Sequence, residues 1–117
     1  MQVNSAVFAS ITAIAFSGTV WAQPLDERQA KAILGKADCL TCHSVDVRIV
    51  GPTYREVAQK YKGDAKAPET LFKKVREGGS GSFGLVGPHG ELRMVKNPPS
   101  KISDDELKKV IAWILSL

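Results

Sequence analysis

The chain has only two cysteines in 117 residues, Cys39 and Cys42, and they stand two residues apart. A disulfide between them would close a loop too short to restrict the unfolded chain much, so it would stabilise little globally. A chain of this length buries a modest fraction of its surface and usually requires a staple. Whatever completes the core is therefore not a disulfide.

The folded part is shorter than the whole. Residues 1–22 carry no charged side chain, and Ala6 to Val20 form an apolar stretch ending in Val20-Trp21-Ala22. That layout predicts a secretory signal cleaved near Ala22/Gln23, although the first residues lack the usual Lys or Arg. A spanning helix needs about 20 predominantly apolar residues; Ser10, Thr12, Ser17 and Thr19 interrupt a stretch that is already short. The expected organisation is a signal peptide over 1–22 and one domain over 23–117, exported to the periplasm. The net charge of +4 is spread along that domain without an Arg-rich block. Such a balance describes a solvated surface, or a mildly basic face for an acidic protein partner, and not a nucleic-acid patch.

Three regions carry helical signals. From about Asp26 to Ala37, Ala30, Ile33, Leu34 and Ala37 recur at i, i+3, i+4 and i+7, and Asp26 and Glu27 suit a helix N-terminus. A middle region holds two short helices. One runs from Thr53, a candidate N-cap, to about Tyr61; the other runs from Pro68 at a first helical position to Glu77, before Gly78-Gly79, with Leu71, Phe72 and Val75 on its buried face. The last helix opens on the Ser103-x-x-Glu106 capping box and repeats Leu107, Val110, Ile111 and Ile114. Between them, Gly78 to Lys101 is rich in Gly, Pro and Ser, and a run of that length is usually functional. Nothing alternates with period two over a useful length, so the expected class is all-α.

Cys39-Leu40-Thr41-Cys42-His43 is C-x-x-C-H, the attachment sequence for a c-type haem. Two thiols at this spacing add across the two vinyl groups of a porphyrin, and His43 is then held beneath the iron as an axial ligand. A thioredoxin-like pair would need a βαβ context, and a structural zinc site would need four ligands where only His89 remains to complete one. A chance match is the remaining alternative; export, the lack of other cysteines and the shortage of core material weigh against it. For the sixth ligand the exported chain offers one methionine, Met94, and one further histidine, His89, both in the long loop. Met94 is favoured, with His89 or an open position as alternatives.

With these residues the chain resembles the class I mono-haem cytochromes c of the short bacterial periplasmic type (c-551/c-552-like). The similarity spans about Asp26 to Leu117. It rests on Cys39-x-x-Cys42-His43, Val50-Gly51-Pro52-Thr53-Tyr54, the Met94 loop and Ser103-Asp104-Asp105-Glu106 leading to Trp113-Ile114-Leu115. The resemblance implies about four helices wrapped around one haem, bound covalently through Cys39 and Cys42, with iron ligands His43 and Met94. It further implies that the Pro52 carbonyl accepts a hydrogen bond from His43 and that Asn97 lies near the Met94 sulfur. The family commonly has Met followed by two prolines and Asn; here Val95 and Lys96 separate Met94 from Asn97.

The function implied is that of a single-electron carrier between redox partner proteins, not an enzyme, with no nucleic-acid or small-molecule substrate and monomeric when free. The alternative is a haem c subunit held permanently by a larger periplasmic oxidoreductase through the Gly84–Lys101 loop. Lys60, Lys62, Lys73, Lys74, Arg93 and Lys96 are candidates for a basic ring around an exposed haem edge; for any one of them, ordinary solvated charge is the plainer account.

Overall fold

The computed structural model describes residues 24–117, so the signal peptide expected over 1–22 lies outside the described residues. Four helices form in chain order: α1 (Glu27–Lys36), α2 (Tyr54–Lys60), α3 (Ala67–Glu77) and α4 (Asp104–Leu115). A 3-10 turn over Cys39–Thr41 follows α1. The long segment after α3 holds four two-residue strands: β1 (Gly79–Ser80), β2 (Val86–Gly87), β3 (Gly90–Glu91) and β4 (Arg93–Met94). They pair antiparallel as β1 with β4 and β2 with β3. The fold is the expected all-α class, but the glycine-rich segment is not structureless. Strands of two residues are too short to leave a period-two pattern in a sequence.

Three of the helices start on a reciprocal capping box. Asp26 accepts from the Gln29 N–H, Thr53 from Glu56 and Ser103 from Glu106, while each third residue's side chain accepts from the cap's own N–H. Two orphan donors are satisfied at each helix start, an arrangement in which the cap contributes about 1 kcal/mol. The sequence shows the box itself only at Ser103; at Thr53 it shows a candidate N-cap, and at Asp26 only the favourable charge. α3 begins at Ala67, so Pro68 sits at the second helical position instead of the first. Pro still fits there, because the N–H it lacks would have had no partner within the helix.

Helices α1 and α4 pack against each other through small and large residues in register. Ala30 on α1 and Ala37 at its C-terminal cap are fully buried, and Val110, Trp113 and Ile114 meet the Ala30 side of that helix. Leu107 and Ile111 pack with Ala37 and Ile102 in a second cluster. Alanines on the α1 face let the α4 side chains seat directly on its backbone. On α3 only Ala67 is buried; Leu71, Phe72 and Val75, expected to form a buried face, are half-buried. All three pack against the second cluster from one side; Leu71 and Val75 are half-buried because they also line an open cleft, and Phe72 because Arg76 and Lys108 lie over its ring.

The caps have a consequence for acid stability. Hydrogen bonds from the Arg48 side chain and then from the Thr53 N–H hold the Glu56 carboxyl below its ordinary value of 4.5. Lys36 and then Ser103 do the same for Glu106. A carboxyl lowered by folding adds stability that is complete above its unfolded value and lost as pH falls through the lowered one. The melting temperature should therefore drop between about pH 6 and about pH 3, and a Glu56→Gln, Glu106→Gln double variant should show a shallower drop. Equal slopes for variant and parent would contradict this.

Candidate haem site

The 3-10 turn places the thiols and the imidazole together. The His43 N–H donates to the Cys39 carbonyl at 3.0 Å and the Cys42 N–H to the same oxygen at 3.3 Å, so residues 39, 42 and 43 occupy one turn. Asp38 opens it in the left-handed region, at φ 61°. An aspartate tolerates that conformation better than most side chains because its carboxylate can bond locally. The chain then folds back on the turn: the Gly51 N–H donates to the Cys42 carbonyl at 2.8 Å and the Tyr54 N–H to the Ser44 carbonyl at 2.9 Å.

This return places Pro52 and Tyr54 around the imidazole. His43 Nδ1 lies 2.7 Å from the Pro52 carbonyl oxygen. A carbonyl only accepts, so Nδ1 carries the proton and Nε2 keeps the lone pair that a metal requires. Tyr54 stacks on the imidazole with ring centroids 5.5 Å apart and an interplanar angle of 24°. It meets Trp113 edge-on at 6.2 Å. A Cβ on Gly51 would stand 2.5 Å from His43 Cε1, so that position excludes a side chain where the loop crosses the ring.

A cleft enclosing about 1430 Å³ of atom-free space, its open mouth included, lies between the attachment turn, α3, α4 and the β segment. Cys39, Cys42, His43, Pro52, Met94 and Asn97 all line it. Most other lining side chains are apolar, among them Leu34, Leu71, Val75, Leu85, Leu92 and Ile111. Among the described residues His43 is its only histidine and Met94 its only methionine; His89 lies in the exposed turn between β2 and β3 and does not line it. Asn97 is 3 % exposed and its amide donates to the Val95 carbonyl at 3.0 Å and the Val75 carbonyl at 3.3 Å.

Two further observations suit this cleft to a covalently held porphyrin. Burial pushes the Cys39 thiol up, with nearby Lys101 opposing; a thiolate is disfavoured there, whereas a neutral thioether has no charge to desolvate. The Tyr54 hydroxyl is buried without a hydrogen-bond partner, and burial raises its pKa above the usual phenol value. Orphaned buried hydroxyls are rare in a finished interior, so the cleft as drawn by the chain alone is an incomplete core. Tyr54, Leu85 and Leu92 were not singled out in the sequence as site residues. Tyr54 carried a signal, two residues beyond Pro52 in the segment that returns to the turn; the leucines had none.

Comparison with known proteins agrees with the geometry. A family model described as "Cytochrome c" matches residues 28–117. The chain is 46 % identical over 80 residues to cytochrome c2 of Rubrivivax gelatinosus, covering 68 % of this chain and 87 % of that one. It is 33 % identical over 110 residues to cytochrome c-552 of Hydrogenobacter thermophilus, covering 94 % and 96 % respectively. The crystal structure of Nitrosomonas europaea cytochrome c552 superposes with a TM-score of 0.62 at 31 % identity, over 74 % of this chain and 96 % of that one. The chain thus belongs to the cytochrome c family as a class I mono-haem member of the c-551/c-552 type, an electron-transfer protein and not an enzyme, with one haem c bound covalently through Cys39 and Cys42.

Proposed function

We propose that this cytochrome is a periplasmic carrier whose haem is held between His43 and Met94, and that residues 1–22 are a signal removed near Ala22/Gln23. When bound, the haem supplies a one-electron ferric/ferrous couple. The chain's residues decide its potential and what reaches it. One observation carries the ligand assignment: the cleft is lined by one imidazole with its Nε2 lone pair available and by one thioether, contributed by separate segments. A thioether donates less electron density than a second imidazole and so favours the ferrous state. The apolar lining acts in the same direction, because it disfavours the extra charge of ferric iron. Voltammetry should return a positive midpoint; a strongly negative one would contradict His/Met ligation.

Of the basic residues considered for a docking ring, three have structural partners. Lys60 sits 5.0 Å from the Phe83 ring centroid and donates to the Ser82 carbonyl. Lys74 donates to the Gly78 and Ser80 carbonyls, and Arg93 to the Ser80 hydroxyl. Lys62, Lys73 and Lys96 are exposed and make no ion pair among the described residues. With a net charge of +4 these suit encounter with an acidic redox partner by a monomeric carrier. Electron transfer to such a partner should slow by about tenfold from ~0.01 M to ~0.15 M salt, as the Debye length shrinks from about 30 to about 8 Å. A rate independent of salt would remove the electrostatic part of the proposal.

The second reading, a permanent subunit of a larger oxidoreductase, draws on Val86 and Val95, which are 73 % and 66 % exposed on and beside the β segment. Co-purification with a catalytic subunit through washes at high salt would favour it over a diffusible carrier.

A further inference from the structure

The C-terminal end of α3 holds the segment that bears Met94 by three separate devices. Gly78 has φ 66° and ψ −146°, a conformation open to glycine and almost nothing else. A Cβ there would stand 2.4 Å from the Met94 carbonyl oxygen and 2.8 Å from the Val95 carbonyl carbon, both backbone atoms that no side-chain rotation can move away. Immediately after it, Gly79 pairs with Met94 and Ser80 with Arg93 in the β1–β4 ladder. Downstream, the Asn97 N–H donates to the Val75 carbonyl at 3.1 Å, and Arg76 Nη1 donates to the Asn97 carbonyl at 2.9 Å and the Ile102 carbonyl at 2.8 Å. Val95 and Lys96, between these anchors, are exposed.

We propose that Gly78 and Arg76 are positioning residues for the sixth ligand: Gly78, by having no side chain, lets the Met94 backbone pass against the end of α3, and Arg76 pins the segment beyond it, so that together they set how far the Met94 thioether reaches into the cleft. A methyl group at Gly78 displaces the Met94 backbone by the clearance it lacks. The thioether is unbranched and flexible, but its reach is finite, and a ligand bond is sensitive to displacements well below one ångström. This proposal rests on Met94 being the sixth ligand.

The test uses the full holoprotein as exported. Gly78→Ala should lose most of the far-red absorption given by iron–methionine bonding in the oxidised protein, lower its midpoint potential, and bind carbon monoxide about tenfold more tightly when reduced, as a weakened internal ligand competes less well. Gly63→Ala is the control. Gly63 also has a positive φ, 79°, but a Cβ there meets nothing within 4 Å; that variant should melt lower yet keep the parent's far-red band and midpoint. If Gly78→Ala behaves as Gly63→Ala does, with stability reduced and band and midpoint unchanged, the proposal is overturned. Should Gly78→Ala not yield folded holoprotein, Arg76→Gln decides, because its midpoint and band must shift in the same direction by a smaller amount; an unchanged midpoint there overturns the proposal equally. The parent and Met94→Ala separate the two levels. A parent without the far-red band refutes Met94 ligation itself, whereas a band lost in Met94→Ala but retained in both positioning variants refutes only the inference.

Discussion

Replacing both attachment cysteines, as Cys39→Ser with Cys42→Ser, should abolish covalent haem and with it the cooperative fold. The expectation follows from how little core the chain makes alone. Most of its buried hydrophobic residues fall into two clusters, in which α4 packs against α1 and against Tyr54 and Val57 of α2, while Leu71, Val75, Leu85 and Leu92 present apolar surface to the cleft. A porphyrin covers several hundred Å² of such surface, which at ~25 cal/mol per Å² is on the order of 10 kcal/mol. That is comparable to the whole stability of a domain this size, roughly 5–15 kcal/mol. The double variant should lose near-UV circular dichroism and show no sharp thermal transition, with some helical signal surviving from the capped helices. A haem-free variant melting cooperatively near the parent's temperature would mean that the chain needs no porphyrin to complete its interior.

Met94→Ala should leave the haem attached and the fold intact but change its redox and ligand-binding behaviour. Met94 is only half-buried and belongs to a two-residue strand, so truncating it removes little core. What it removes is the single thioether of the cleft. The oxidised variant should lose its far-red band, and its midpoint should fall by on the order of 0.1–0.2 V, within the roughly 0.8 V that axial ligation spans. The reduced form should take up carbon monoxide readily. His89→Ala should change none of these, because His89 stands in an exposed turn and does not line the cleft. A parent that lacks the band, with its midpoint and carbon monoxide binding changed in His89→Ala and unchanged in Met94→Ala, would exchange the two assignments.

Much of this arrangement could be read from the sequence, and what could not has a common cause. The helices announce themselves because caps and apolar spacing are local: Thr53 with Glu56, Ser103 with Glu106, and the Ala30 to Ala37 stripe each lie within a few residues. The attachment motif is local too, since one turn of backbone is all that brings Cys39, Cys42 and His43 together. The features that escaped depend on contacts between distant segments. Gly78 reads as a helix stop, and its contact with the Met94 carbonyl exists only once β1 and β4 have paired. Tyr54 reads as the first residue of a helix, yet its ring stacks on His43 because Gly51 and Tyr54 bond back to the attachment turn. Leu71 and Val75 read as core on spacing alone; periodicity identifies an apolar face but not whether protein or a prosthetic group covers it.

A porphyrin joined to the chain by two thioether bonds forms the middle of this fold. The intact mass of the exported protein tests it most directly. The expected mass is that of residues 23–117 plus one haem, unchanged by denaturation or by treatment with a thiol-alkylating reagent. A folded protein with the mass of the bare chain, gaining two alkyl groups on Cys39 and Cys42, would contradict it.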